Sequence, residues 1–336
     1  MAHRFEPGIS GHRITPPDVF FGRREFLAAL GWGVLSAPRA FSGSAEQAGL
    51  LEPPYQRPDR FPARRSKRYD VPAAIPRRTL TPREVAASHN NFYEFLPGRG
   101  GPAWKYAGDF KVEPWKVEVT GECQKPVTLD LDDLLRFELE ERVYHFRCVE
   151  RWAMNVPWTG FPLRKLLEKV EPKSKATHVR FVSAKRPEQM PGVKEASYYP
   201  WPYHEGLRMD EAMNELALIV TGVYGQPLLK QHGAPVRIIV PWKYGYKNPK
   251  SVVKIELVRK EPKTFWEIQP HEYGFLSNVN PNIPHPRWSQ ARSYWLDNQE
   301  PFPTPIFNGY ETFVASLYPD EPREPRPPLR PGQMAR

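Results

Sequence analysis

From about residue 115 the chain carries apolar and polar positions in short alternating runs. WKVEVTGE (115–122) has a period of two, the pattern of a half-buried strand. VYHFRCV (143–149), THVRFVSA (177–184), ALIVTGVY (217–224), VRIIVPW (236–242) and SVVKIELV (251–258) are rich in β-branched and aromatic residues and predict further strands. Helical spacing appears in LDLDDLLRF (129–137), where Asp130 is placed to cap, and in PLRKLLEKV (162–170), where Pro162 falls in the first turn. RMDEAMNEL (208–216) predicts one more short helix. Beyond residue 259 the strand signals weaken among prolines and aromatics. No run of about 20 apolar residues occurs, so no segment predicts a membrane-spanning helix in the mature chain.

Composition narrows the picture. Forty prolines in 336 residues argue against a helical bundle and for a loop-rich, mostly β or mixed fold. Ten tryptophans and 13% aromatics exclude a disordered chain. Two cysteines exclude a disulfide-stapled scaffold and a four-cysteine zinc site. The net charge of +10 is uneven: residues 1–80 hold 13 Lys/Arg against 7 Asp/Glu. That surplus reads as a leader and a basic arm rather than a nucleic-acid surface, because no basic helix with base-reading side chains follows. GRREFLAALGWGVLSA (22–37) places Arg23 and Arg24 before a short, weakly apolar run and small residues at 37–40, the order of a twin-arginine export signal. The expected organisation is a signal at 1–40, a proline-rich basic arm at 41–80, one globular domain at 81–320 and a flexible tail at 321–336.

Three segments carry chemistry. Cys148, in RCVERW at a predicted strand end, reads first as an inert buried thiol, with a soft metal ligand and then a nucleophile as the alternatives. His145 lies at an odd offset from it, so in a strand the two side chains point to opposite faces. HGAPVRIIVPWKYGYKNPKS (232–251) combines Arg237 with a glycine-containing loop that carries Lys243, Lys247, Asn248 and Lys250, which reads either as a phosphate cradle or as a solvated basic loop. NNFYEF (90–95) packs two amides, three aromatics and Glu94 together, a ligand-ordering loop or a turn. The chain has no GxGxxG, Walker, HExxH or GxSxG motif.

Taken together, RCVERWAMNVPWTGFPL (147–163), the 232–251 block, NNFYEF, EQMPG (188–192), EGLRMDEAM (205–213) and EYGFLSNVNPNIPHPRWSQA (272–291) closely resemble the sulfite oxidase family of molybdopterin enzymes over about residues 80–318. The resemblance implies a sulfite-oxidase-like α+β catalytic domain of mixed sheets, without the haem and dimerisation domains of relatives. It implies one molybdenum per chain on a single molybdopterin in its mononucleotide-free form, with Cys148 as the protein thiolate on the metal. Asn90, Tyr93 and Glu94 match positions that hold the pterin, and Arg237, Asn248, Pro249 and Lys250 match positions for the cofactor and its phosphate. Ser183 stands where the pattern has Thr, and His232 where it has Asn; both keep hydrogen-bonding capacity.

The activity implied is reduction of methionine sulfoxide in periplasmic proteins by a monomeric catalytic subunit. Electrons would come, linked to quinone, from a membrane-embedded haem-binding partner, with no nucleic-acid role. Glu150, two residues after Cys148, is a candidate for proton delivery or water positioning, set against a structural hydrogen-bonding role. Trp152, Trp158, Trp242 and Tyr244 are candidates for an apolar approach, or for core packing. Two other readings stay open: a related molybdopterin enzyme acting on sulfite or another S- or N-oxide, and a non-enzymatic basic exported binding module. Cys123 is assigned no function.

Overall fold

The structure is a computed structural model that describes residues 49–97 and 102–327; the twin-arginine segment and residues 328–336 lie outside the described residues. Twelve strands among these residues form two sheets. The first, in the order β2-β1-β10-β5-β6, is built from β1 (Lys116–Gly121), β2 (Val127–Asp130), β5 (His178–Ser183), β6 (His204–Arg208) and β10 (Val252–Val258). The second follows the path β12-β11-β4-β7-β8, with β3 paired to β4 and β9 paired to β7. Its strands are β3 (Glu140–Arg147), β4 (Trp152–Pro162), β7 (Leu218–Val223), β8 (Gln226–Pro227), β9 (Arg237–Ile239), β11 (Arg292–Trp295) and β12 (Pro301–Pro303). Both parallel and antiparallel ladders occur in each sheet, so the predicted α+β class with mixed sheets is what the chain adopts.

The alternating runs behave as their patterns require. β1 buries every second residue, and Asp130 caps the helix Leu131–Leu135 reciprocally with Asp133, a capping box. The helix Leu163–Val170 buries Leu163, Leu166, Leu167 and Val170 on one face. Pro162 is the last residue of β4 and the N-cap of that helix, one position before its first turn. The expected helix at 208–216 is shorter, Met209–Ala212. β9 keeps only three residues: Val240 N–H is taken by Asn248 Oδ1 and Pro241 has no N–H to offer.

The longest strand, β4, escaped the pattern. All of its 11 residues are buried, so there is no alternation to read, and Pro157 and Gly160 look like loop punctuation. β4 nevertheless pairs with β3 along its length, with β11 at its start and with β7 at its end. Residues 64–81 lie along this sheet. Ser66 N–H donates to Glu141 O, Val143 N–H to Tyr69 O and Thr81 N–H to Asn155 O, while Val71 and Ile75 pack on Val143, Ala153, Trp295 and Phe302. At the other end, residues 321–326, expected as the start of a tail, dock on Asn278, Asn280 and Asn282 through Glu321, Pro322 and Arg326.

The 243–250 loop is not a solvated basic loop. Lys243 is fully buried and paired with Glu211 at 2.7 Å, and Lys247 is paired with Glu205 at 2.5 Å. Neither ammonium is left to cradle a phosphate; Lys243 ties the loop to the helix Met209–Ala212, and Lys247 ties it to β6. Replacing Lys247 by Met leaves Glu205 as a buried, uncompensated charge, a loss of about 3–5 kcal/mol. Denaturant unfolding is expected to show that loss in Lys247→Met and recovery of most of it in the double variant Lys247→Met/Glu205→Leu. Equal instability of the two variants would contradict the pairing.

Candidate active site

The β3–β4 ladder ends at the pair Arg147–Ala153, and the chain reverses through Cys148, Val149, Glu150 and Arg151. Cys148 N–H donates to Trp152 O and Arg151 N–H to Cys148 O, both at 3.0 Å, with Arg151 in the left-handed region at φ 79°. This is a short hairpin turn closed by a left-handed residue. Cys148 therefore sits in the turn, one residue past the end of β3, where the sequence predicted strand through residue 149. Glu150 does reach it, with Oε2 accepting from the thiol at 3.8 Å, but the turn brings them together rather than the strand pleat. Glu150 Oε2 also accepts from Asn91 Nδ2 at 2.9 Å and from Trp152 Nε1 at 3.0 Å, and Asn91 Nδ2 lies 3.7 Å from Cys148 Sγ.

The thiol faces a cavity of about 800 Å3. Asn90, Tyr93, Glu94, Cys148, Glu150, Arg237 and Lys250 from the sequence-derived set line it, as do Trp152 and Trp158. Asn91, Phe146, Met154, Tyr203, Tyr246, Trp266 and Tyr273 complete much of the wall, and the sequence reading passed over them. Asn91 stood beside Asn90 in the amide pair; Trp266 and Tyr273 lie in the stretch where strand signals fade. The lining includes no histidine, and His145 points away, held to Asn155 Oδ1 and packed on Trp295 and Phe302. A cysteine–histidine nucleophile pair is therefore not assembled among the described residues.

Ser183, His232, Asn248 and Pro249 are not on the cavity wall, and neither are Trp242 and Tyr244. Trp242 is a core residue bonded to Tyr318. Asn248 is a loop staple: its Nδ2 donates to Tyr244 O and Gly245 O while its Oδ1 holds Val240 N–H. Pro249 O accepts from Ile238 N–H, fixing the chain just before Lys250. His232 Nε2 meets Ala86 O at 3.1 Å; a carbonyl only accepts, so Nε2 carries the hydrogen and Nδ1 is a buried acceptor without a partner. Ser183 Oγ is likewise buried without a partner.

Two glycines let the walls close. At Gly233, with φ +100°, a Cβ would lie 2.7 Å from Lys250 Cβ. At Gly192 a Cβ would lie 1.9 Å from Tyr93 O, so the short helix Pro191–Glu195 can press on the Tyr93–Glu94 backbone only with glycine there.

The cavity lining carries two cations, Arg237 and Lys250, and two carboxyl groups, Glu94 and Glu150. Arg237 is buried over the rings of Trp158 and Phe146; two of its nitrogens reach His232 O and Asn248 O, and its Nε has no partner. Burial lowers its pKa to about 9. Lys250 donates to Asn91 O at 2.9 Å, and burial, with Arg237 adding, lowers it to about 8 against the pull of Glu94. Burial raises Glu94 to about 7, with Lys250 opposing. Burial, assisted by the Glu150 carboxylate, pushes the Cys148 thiol well above its ordinary value.

These residues fit a metal that brings its own ligands. Among the described residues no cluster of three or more His, Cys, Asp or Glu could hold an ion, while the cavity presents one soft thiol. A dithiolene cofactor supplies the missing ligands. Its phosphate would meet the bare Nε of Arg237 and the ammonium of Lys250, a set suited to a dianion. The arrangement is that of a molybdopterin-binding oxidoreductase, and residues 105–266 match the oxidoreductase molybdopterin binding domain family. The chain is 46% identical over 317 residues to the protein-methionine-sulfoxide reductase catalytic subunit MsrP of Burkholderia mallei (strain ATCC 23344), covering 92% of this chain and 93% of that one. It belongs to the MsrP catalytic-subunit family, within the sulfite oxidase family of molybdopterin enzymes. A solved structure, the sulfane dehydrogenase SoxCD from Paracoccus pantotrophus, shares 18% identity at a TM-score of 0.40 over 48% of this chain and 42% of its own.

His145 and His232 are both buried neutral, with burial lowering each to about 4. Between that value and the ordinary histidine range the unfolded chain takes up protons that the folded chain does not, so stability falls as the pH drops through this window. Urea midpoints are expected to fall between pH 7 and pH 5, and His232→Asn, which can still donate to Ala86 O, is expected to lessen the fall. An unchanged slope in that variant would mean that His232 is protonated in the fold.

Proposed function

We propose that the protein is a molybdenum-dependent reductase of methionine sulfoxide in proteins. The observation that carries this reading is the 46% identity to an MsrP catalytic subunit across nearly both chains, joined to a cavity whose one thiol stands opposite two buried cations. The overall change consumes two electrons and two protons and converts a sulfoxide to a thioether and water. When bound, the cofactor metal supplies the Lewis acidity and the two-electron change.

The chain's own residues hold and orient. Cys148 offers the thiolate to the metal. Asn90, Tyr93 and Glu94 line the cavity and would hold the pterin, and Arg237 and Lys250 would take its phosphate. Ser183 and His232 stand behind this wall with unsatisfied polar atoms, and Asn248 and Pro249 set the loop from which Lys250 projects. Glu150, fixed by Asn91 and Trp152, is placed to position a water at the thiol end. Trp152, Trp158 and Trp266 give the sulfoxide side chain an apolar wall.

The finer features of the reading are one molybdenum per chain on a single, nucleotide-free pterin, a monomeric catalytic subunit and electrons from a membrane-embedded haem-binding partner. Export in the folded state to the periplasm is supported by Arg23 and Arg24 ahead of a short apolar run. The relative's name, a catalytic subunit, supports a partner.

The purified protein is expected to contain molybdenum and pterin in equal amounts and to reduce protein-bound methionine sulfoxide with a reduced dye. Cys148→Ser is expected to retain the fold and lose turnover by at least about a thousandfold, the scale of losing an essential catalytic group. Sulfite oxidation without sulfoxide reduction would favour the related-substrate reading, and absence of molybdenum after expression in a competent host would remove both.

A further inference from the structure

We propose that Trp288 and Gln290 are positioning residues for the Cys148 turn: together they clamp the Val149 carbonyl and so fix the direction in which the thiolate is presented. The inference rests on the reading of Cys148 as the metal's thiolate. Val149 lines both the site cavity and a second one of about 490 Å3 on its other side, so the turn is a thin partition with space on two faces. Cys148 and Val149 are buried in the main apolar cluster, but open volume on two sides thins that packing and leaves directed polar contacts to set the turn's orientation.

Those contacts come from one short stretch. Trp288 Nε1 and Gln290 Nε2 each donate to Val149 O at 2.9 Å. Trp288 is itself held face to face on His285, with centroids 4.4 Å apart and planes 13° apart, and His285 Nε2 lies 3.3 Å from Glu272. Gln290 is almost fully buried, and its own carbonyl accepts from Arg147. Arg147 in turn donates to Cys148 O at 3.1 Å and to Ser293 Oγ at 2.8 Å. The carbonyls of Cys148 and Val149 are thus tied, directly or through Arg147, to residues 288–293. Among the described residues no comparable tie reaches the turn from β4 beyond Trp152.

The orientation of a thiolate sets its electronic overlap with a bound metal, so a loosened turn alters the metal's signature as well as the rate. The test uses the loaded protein with Trp288→Phe, which keeps the ring on His285 and removes the N–H, and Gln290→Met, which keeps length and burial and removes the donor. Both variants are expected to shift or broaden the paramagnetic Mo(V) spectrum and to lower kcat with little change in KM. Hydrogen exchange at the Cys148 and Arg151 amides is expected to quicken about tenfold while the β3–β4 ladder keeps its protection. Wild-type spectra and wild-type exchange at the turn in both variants overturn the proposal. So does loss of protection along the whole ladder, which would make the pair a folding element instead. A protein without molybdenum or sulfoxide reduction defeats the functional reading, whereas exchange at the turn still decides the clamp.

Discussion

The register of the β3–β4 hairpin is the constraint from which the site follows. Eight consecutive cross-strand pairs, from Glu140–Gly160 to Arg147–Ala153, place the turn at residues 148–151. In a strand the side-chain period is two, so a slip of one residue would exchange the faces of His145, Arg147 and the neighbours of Cys148. Burial on both faces of β4 forbids that slip. Phe146, Met154 and Trp158 must meet the cavity, and Val143 and Ala153 must meet the arm residues Val71 and Ile75. The arm's hydrogen bonds to Glu141, Val143 and Asn155 fasten the same hairpin from outside. The stretch that composition marks only as proline-rich and basic therefore helps to hold the thiol in place.

Charge is the second organising principle. The loop 241–250 and the strand before it carry four buried cations, and the fold treats them in two ways. Lys243 and Lys247 each have a carboxylate at hydrogen-bond distance, which makes them internal struts. Arg237 has only carbonyl acceptors, and Lys250 feels Glu94 across the cavity while bonding a carbonyl. Burying a guanidinium without a carboxylate is unfavourable unless an anion arrives. The struts fix the loop on which that anion's receptors stand.

This division explains which parts were legible in the sequence. Half-buried strands such as β1 show themselves by alternation, and the Asp130 cap by its residue type. β4 was hidden because complete burial erases alternation and its prolines resemble turn signals. The resemblance brought Cys148, Arg237, Lys250, Glu94, Tyr93 and Asn90 forward, and the structure gathers these around one cavity. Charge alone could not separate Lys243 and Lys247 from Lys250, because their partners Glu211 and Glu205 lie more than 30 residues away in sequence. Trp266, Tyr273 and Tyr246 close the cavity through long-range aromatic contacts that no local pattern encodes.

The thiol end of the cavity shows how the polar and apolar parts depend on each other. Burial holds Cys148 protonated in the absence of a metal, so taking up a metal there releases a proton. Once ionised, the sulfur stands next to a carboxylate oxygen in a water-poor, aromatic-walled space, where like charges repel more strongly than in water. The Asn91 amide answers this by donating toward both groups at once, and the Trp152 indole adds a second N–H to the carboxylate. An apolar residue at 91 would leave the two anions facing each other, and a carboxylate would add a third. An uncharged donor of that length, delivered from the loop that also supplies Asn90, Tyr93 and Glu94, satisfies the thiolate and Glu150 without disturbing the charge balance at the phosphate end.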